Sequence, residues 1–194
     1  MKSSVIALAI FASSLNLKAQ TKWVIDPVHS SVGFTIEHLV ISEVDGKFKT
    51  YNGNISTTKP DLTDAKIDFT VDVKSIDTEN EMRDKHLIAS DFFDAEQFPK
   101  MAFKSTSFKK VAGNKYVLSG NLTIRGVTKP AKFDVTYGGT AKDNYGNIKA
   151  GFKAKGKINR FDYGLKYNGL TEAGGAALGK EVDIDLRLQF AQAK

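Results

Sequence analysis

The chain contains no cysteine. Disulfides are therefore excluded, and so is the lipoprotein anchor that needs a cysteine just after a leader. Stability has to come from a core rather than from covalent staples. Long hydrophobic runs are also missing: the longest, Val5 to Ala12, has eight residues, against the roughly 20 that cross a bilayer as a helix. No run of five basic residues occurs, so nothing marks a nucleic-acid patch. Internal repeats and low-complexity tracts are absent. Histidine is scarce, with three residues at 29, 38 and 86.

What is present begins with a leader. Met1-Lys2-Ser3-Ser4, the apolar run, and a polar stretch ending Leu17-Lys18-Ala19-Gln20 follow the order of a secretory signal peptide. Cleavage after Ala19 is expected, with Leu17 a poor fit to the other specificity position. This reading makes 1–19 the signal peptide and 20–194 one exported domain without a transmembrane segment. Removing Lys2 and Lys18 lowers the basic count from 28 to 26 against 22 acidic residues, a net charge of +4. That mild excess suits anionic membrane surfaces or lipid headgroups better than nucleic acid. A domain of this size buries about 70% of its unfolded surface, enough for a substantial core.

Most of the exported part reads with period two, the mark of strands with one wet and one buried face. From Asp64 to Ile76, Ile67, Phe69, Val71 and Val73 alternate with charged or hydroxyl residues. The same holds for Val32, Phe34 and Ile36, for Ala131, Phe133, Val135 and Tyr137, and for Phe152, Ala154 and Ile158. It holds again for Val182, Ile184, Leu186, Leu188 and Phe190. Asn52-Gly53, Gly113-Asn114, Arg125-Gly126, Gly138-Gly139 and Tyr145-Gly146-Asn147 supply turn chemistry between them. The fold class is all-β with one short helical segment, and about eight strands close most simply into an antiparallel barrel. A two-sheet sandwich is the alternative. Thr78-Glu79-Asn80-Glu81 reads as a capping box opening a helix over 78–89, placed with the following turn at one end of the barrel. The stretch 168–179, with four glycines, reads as a loop too glycine-rich for a strand.

Period two leaves open whether the interior is packed or hollow, since eight strands are just wide enough for either. Further residues carry a resemblance over nearly the whole exported chain. Trp23-Val24-Ile25-Asp26-Pro27-Val28-His29-Ser30, Gly46-Lys47-Phe48, Ser75-Ile76-Asp77-Thr78, Arg83-Asp84-Lys85-His86-Leu87, Ser90-Asp91-Phe92-Phe93-Asp94, Phe98-Pro99, the Gly120–Lys129 block and Arg160-Phe161-Asp162-Tyr163-Gly164 resemble the YceI family of periplasmic lipid-binding proteins. The resemblance implies an eight-stranded, lipocalin-like barrel with an elongated apolar pocket. It also implies a non-catalytic carrier in the cell envelope, periplasmic or secreted. Its ligand would be a long-chain amphiphile: a polyisoprenoid, an isoprenoid quinone or a fatty-acid derivative. No cofactor other than such a bound lipid is expected, and a homodimer stays open. The departure from the family is the long, small-sided stretch 172–179.

The pocket lining is expected from Phe34, Ile36, Phe69, Val71, Val73, Phe103, Phe133, Val135, Phe152, Ile184, Leu186 and Leu188. Arg83, Asp84, His86, Asp91 and Arg160 are candidates for holding a headgroup, or for joining Asp162 in a buried ion network that anchors the helix. Three histidines raise zinc, but strand parity sends His29 and His38 to opposite faces. The rival readings are two. One is an envelope enzyme using His86 with Asp84 or Asp91 and Ser30 or Ser105 as nucleophile, although no elbow motif or phosphate loop frames them. The other is a stress or interaction protein using the barrel only as a scaffold.

Overall fold

A computed structural model describes residues 20–169 and 177–194. The expected leader at 1–19 and the 170–176 part of the glycine-rich stretch lie outside the described residues.

The strands are β1 (Thr21–Ile25), β2 (Ser31–His38), β3 (Ser42–Phe48), β4 (Tyr51–Thr57), β5 (Lys66–Asp72), β6 (Ile76–Asp77), β7 (Lys100–Ala112), β8 (Lys115–Ile124), β9 (Val127–Lys142), β10 (Ile148–Asn159) and β11 (Leu178–Gln192), with one helix, α1 (Glu81–Leu87). Three pairs, β1/β2, β3/β4 and β5/β6, are each one barrel strand with a break in it. That leaves an eight-stranded antiparallel meander in which β11 pairs with both β1 and β2 and closes the ring. Closure removes the sheet edges, so the single apolar face of each strand meets the others inside.

The three breaks lie side by side and are stitched by side chains. In the first, Pro27 has no N–H to give a ladder, and a 3-10 turn forms at Pro27–His29. Ser30 Oγ donates to the Asp26 carbonyl at 2.7 Å and accepts from Gln189 N at 2.9 Å, holding the broken strand to β11. In the second, the N–H groups of Lys49 and Thr50 donate to the Ser75 carbonyl and hydroxyl, both at 3.0 Å. In the third, a 3-10 turn at Val73–Ser75 is capped by Asp72, whose Oδ1 accepts from Lys74 N at 3.0 Å. The expected continuous strand over 64–76 is therefore too long at both ends.

All turns of one parity fall at one end of a meander. The lower end carries the connections β4–β5, β7–β8 and β9–β10 together with both described termini; the upper end carries β2–β3, α1, β8–β9 and β10–β11. The lower end is sealed. Its loop at 58–65 folds inward with Leu62 and Ala65 in the core. Asp64 holds that loop by accepting from the hydroxyls of Thr57 and Thr58 at 2.5 and 2.6 Å and from Thr58 N at 2.9 Å, while Tyr116 OH donates to the Asp61 carbonyl at 3.0 Å.

Several local expectations are corrected. Asn52-Gly53 is not a turn but lies inside β4, and Gly138-Gly139 lies inside β9 opposite the register shift at Gly151/Phe152. The last strand starts at Leu178, four residues earlier than its apolar alternation shows, because backbone pairing of Leu178 with His38 extends it. The helix is shorter than 78–89, and its N-cap is Asn80, whose Oδ1 accepts from Arg83 N at 3.0 Å. Thr78 is not the cap because its hydroxyl is engaged elsewhere.

Candidate functional site

The barrel interior holds a cavity of about 420 Å3, within the size range of small-molecule pockets. It extends from Leu62, Ala65 and Phe108 at the sealed end to Thr78, Arg83, His86 and Tyr167 at the upper end. On β11 alone the alternating row from Val182 to Phe190 lines it over roughly 27 Å of strand, with Leu178 beyond.

The bore stays open because its phenylalanines lie back against the wall. Phe34 covers Gly46 and Phe69 covers Gly53, the glycine in each case being the register partner on the neighbouring strand. A Cβ at Gly53 would sit 2.5 Å from the Phe69 ring, far inside contact distance, so only glycine leaves room for the ring. Phe103 over Gly120 and Phe133 over Gly156 repeat the device. A large ring facing a glycine occupies the wall layer instead of the lumen.

Of the twelve apolar residues assigned to the lining, eleven line the cavity: Phe34, Ile36, Phe69, Val71, Phe103, Phe133, Val135, Phe152, Ile184, Leu186 and Leu188. Val73 does not. It sits in the 3-10 turn that interrupts the strand period and is buried in the core without lining the cavity. The alternation did not mark the lining from Leu62, Phe108 and Leu118 toward the lower end or from Met101 and Leu122 toward the upper end. The strands that supply much of it, β7 and β8, mix serine, threonine and glycine into the pattern, and Phe103 lying over Gly120 marks their inner face.

Polar groups gather at the upper end alone. Arg83 Nε donates to Thr78 Oγ1 at 2.7 Å and its Nη2 to the Thr78 carbonyl at 2.6 Å, while Asp84 accepts from Thr78 N at 3.0 Å and from its hydroxyl at 2.5 Å. These bonds tie α1 to the chain leaving β6. Arg83, His86, Arg160 and His38 line the cavity; Asp84 and Asp91 do not. His86 Nε2 lies 2.7 Å from Asp91 Oδ2, and that contact pulls the Asp91 carboxyl below its usual range.

Arg160 is buried, with 2% of its surface exposed. Its guanidinium donates to the carbonyls of Gly179 (2.8 Å), Leu165 (2.8 Å), Tyr167 (2.6 Å) and Leu178 (3.3 Å) and to Asn168 Oδ1 (3.4 Å). Burial lowers its pKa, yet an arginine stays charged in proteins. The expected buried ion network of Arg83, Asp84, Asp91, Arg160 and Asp162 is therefore not formed. The two arginines bind carbonyls and a threonine, Asp91 pairs with His86, and Asp162 is exposed. Arg160 clamps the connection after β10 to the start of β11.

A second polar cluster stands outside the bore at the first strand break. Asp26 Oδ2 accepts from Lys149 Nζ at 2.9 Å and from Gln189 Nε2 at 3.2 Å, and His29 Nδ1 is 3.1 Å away. Burial opposes ionisation there, but the bonds from Lys149, His29 and Gln189 outweigh it and lower the Asp26 pKa to about 2. Among the described residues no group of three or more metal-ligating side chains converges, and the three histidines lie on three separate features. Ser30 Oγ serves the strand break and Ser105 Oγ accepts from Ile67 N at 2.8 Å; neither is hydrogen-bonded to a histidine.

A closed up-and-down β-barrel with an apolar bore, sealed below and capped by a helix above, is the architecture of proteins that enclose a ligand. The family follows from comparison. Residues 23–190 match the model of the YceI-like domain, and the chain belongs to the YceI family. A UPF0312 protein of Staphylococcus epidermidis is 40% identical over 172 residues, 88% of this chain and 98% of that one. The YCEI protein of Campylobacter jejuni superposes with a TM-score of 0.65 at 35% identity, over 81% of this chain and 90% of that one. A domain of Saccharophagus degradans described as polyisoprenoid binding has the same fold at 15% identity, with a TM-score of 0.61 over 88% and 98% of the two chains. Among the described residues no helix is long and apolar enough to cross a membrane.

Proposed function

We propose that the protein is a non-catalytic carrier of a long-chain amphiphilic lipid in the bacterial cell envelope, holding the tail in the bore and the polar end at the cap. The observation that carries this reading is the open bore, whose Phe–Gly pairs keep an apolar lumen clear along the barrel. The upper end supplies Arg83, His38 and His86 beside the lumen, where a polar headgroup would find donors. Burying ten methylene-sized groups at about 0.8 kcal/mol each stabilises a complex by roughly 8 kcal/mol before ordering costs, so micromolar binding needs no polar contact. The described polyisoprenoid-binding domain of the same fold supports a polyisoprenoid, an isoprenoid quinone or a fatty-acid derivative as the cargo class. Export to the periplasm follows from the leader-like 1–19 segment.

Native mass spectrometry of the purified protein, followed by organic extraction, tests it. Expected are discrete adducts that extraction recovers as lipid. A chain that purifies empty and takes up neither polyprenols, quinones nor long-chain fatty amides on titration would overturn the reading.

A further inference from the structure

Charge is distributed unevenly between the ends of the barrel. The turns at the sealed end carry Lys59, Lys66, Lys109, Lys110, Lys115 and Lys142, all exposed and none in an ion pair among the described residues. The carboxylates of the same turns are occupied in holding backbone. Asp64 caps 57–59, Asp61 accepts from Thr63, and Asp143 accepts from the N–H groups of Tyr145 and Asn147. At the upper end the balance tips toward acid: Glu37 faces Glu43 across the β2–β3 pair, and Glu79, Glu81, Asp91, Glu96 and Asp162 are exposed, against Lys85, Lys129, Lys166 and Lys180.

Two of the sealed-end turns also present large apolar side chains to solvent. Tyr145 is 89% exposed at the β9–β10 tip and Val111 67% exposed beside the β7–β8 tip. Lysines around protruding Tyr and Val side chains match an anionic bilayer surface, where the charges meet headgroups and the tips enter the interface.

We infer that the sealed lower end docks on an anionic phospholipid bilayer, holding the barrel with its capped end turned away from that surface. The acidic upper end favours this polarity, because the same field that draws the lysines repels the carboxylates. The inference concerns the outer surface and stands whether or not the bore holds lipid.

Co-sedimentation with vesicles tests it, using the chain from Gln20 onward, which contains every barrel strand. The probes are phosphatidylcholine vesicles with and without 30% phosphatidylglycerol, a test composition chosen at about the anionic content that gives basic segments appreciable attraction. Expected is binding to the anionic vesicles only, lost as salt rises to about 0.5 M, where screening shortens the Debye length to a few ångströms. Lys109→Glu with Lys110→Glu should weaken binding at least tenfold. Lys129→Glu with Lys132→Glu makes the same change of net charge on the barrel wall and should leave it within about twofold. Tyr145→Ser should weaken binding severalfold while keeping the salt dependence. Equal binding to neutral vesicles, equal losses from the two lysine pairs, or wild-type binding by Lys109→Glu with Lys110→Glu would each overturn the inference. Circular dichroism confirms that each variant is folded, and retained lipid loading in Lys109→Glu with Lys110→Glu separates this test from that of the cargo.

Discussion

The two ends of the barrel are closed by different physics. At the lower end Leu62 and Ala65 reach into the core, and Phe108 stacks on Tyr116 at 4.6 Å between ring centroids; apolar burial fills that closure, and the Asp64 and Tyr116 hydrogen bonds fix its loop. At the upper end buried hydrogen bonds join the packing of Phe92 and Tyr167: Thr78 with Arg83 and Asp84, and Arg160 with its ring of carbonyls. Apolar burial loses stability steadily as it is opened. A hydrogen-bonded cap over a short helix opens as a unit at lower cost. Under the proposed carrier function, the difference favours the upper end for cargo passage.

Four substitutions test the contrast between the two ends. The largest effect is expected from Arg160→Met, which leaves several buried carbonyls without donors and should cost about 3–5 kcal/mol. Urea denaturation measures the cost, and faster release of bound lipid should accompany it. Stability lost without faster release would detach the clamp from the gate. Leu62→Ala removes an apolar anchor of the seal and should cost about 2–4 kcal/mol, with the release rate unchanged if passage is at the other end.

The third concerns the strand break between the two ends. The Asp26 pKa of about 2 lies below the ordinary 3.8, so its bonds contribute fully above that ordinary value and are lost as pH falls through the folded value. Wild-type stability should drop by about 2 kcal/mol between pH 4 and pH 2 beyond the loss shown by Asp26→Asn. Parallel pH profiles for the two proteins would count against the cluster as a stitch. The smallest effect on folding is expected from Gly53→Ala. Its Cβ would meet the Phe69 ring and push it into the lumen, weakening lipid binding about tenfold, equivalent to about 1.4 kcal/mol, in a fluorescence displacement titration.

The architecture was legible because period two survives in strands with one wet face: Phe34 and Ile36, Phe133 and Val135, and Ile184 to Leu188 all point as their alternation indicates. Val73 fails for the reason that made it attractive. It continues the parity of Val71, and nothing local marks the 3-10 turn that displaces it. Asn52-Gly53 carries genuine turn chemistry, but tertiary packing of Phe69 against Gly53 uses the missing side chain instead of the backbone freedom. The charged residues of the cap were identifiable as a group, whereas their pairing was not. Arg83, Asp84 and Arg160 look like ion-pair partners by type, yet each finds a hydroxyl, an N–H or a carbonyl closer in the fold.

The most direct test of an apolar chain held in the bore and reached from the cap is a crystal structure of the lipid-loaded protein. The account predicts continuous density for one extended tail between the Phe69 and Phe133 walls, ending with its polar group within hydrogen-bonding distance of Arg83 or His38. A filled interior without ligand density, or a tail entering past Leu62, would contradict it.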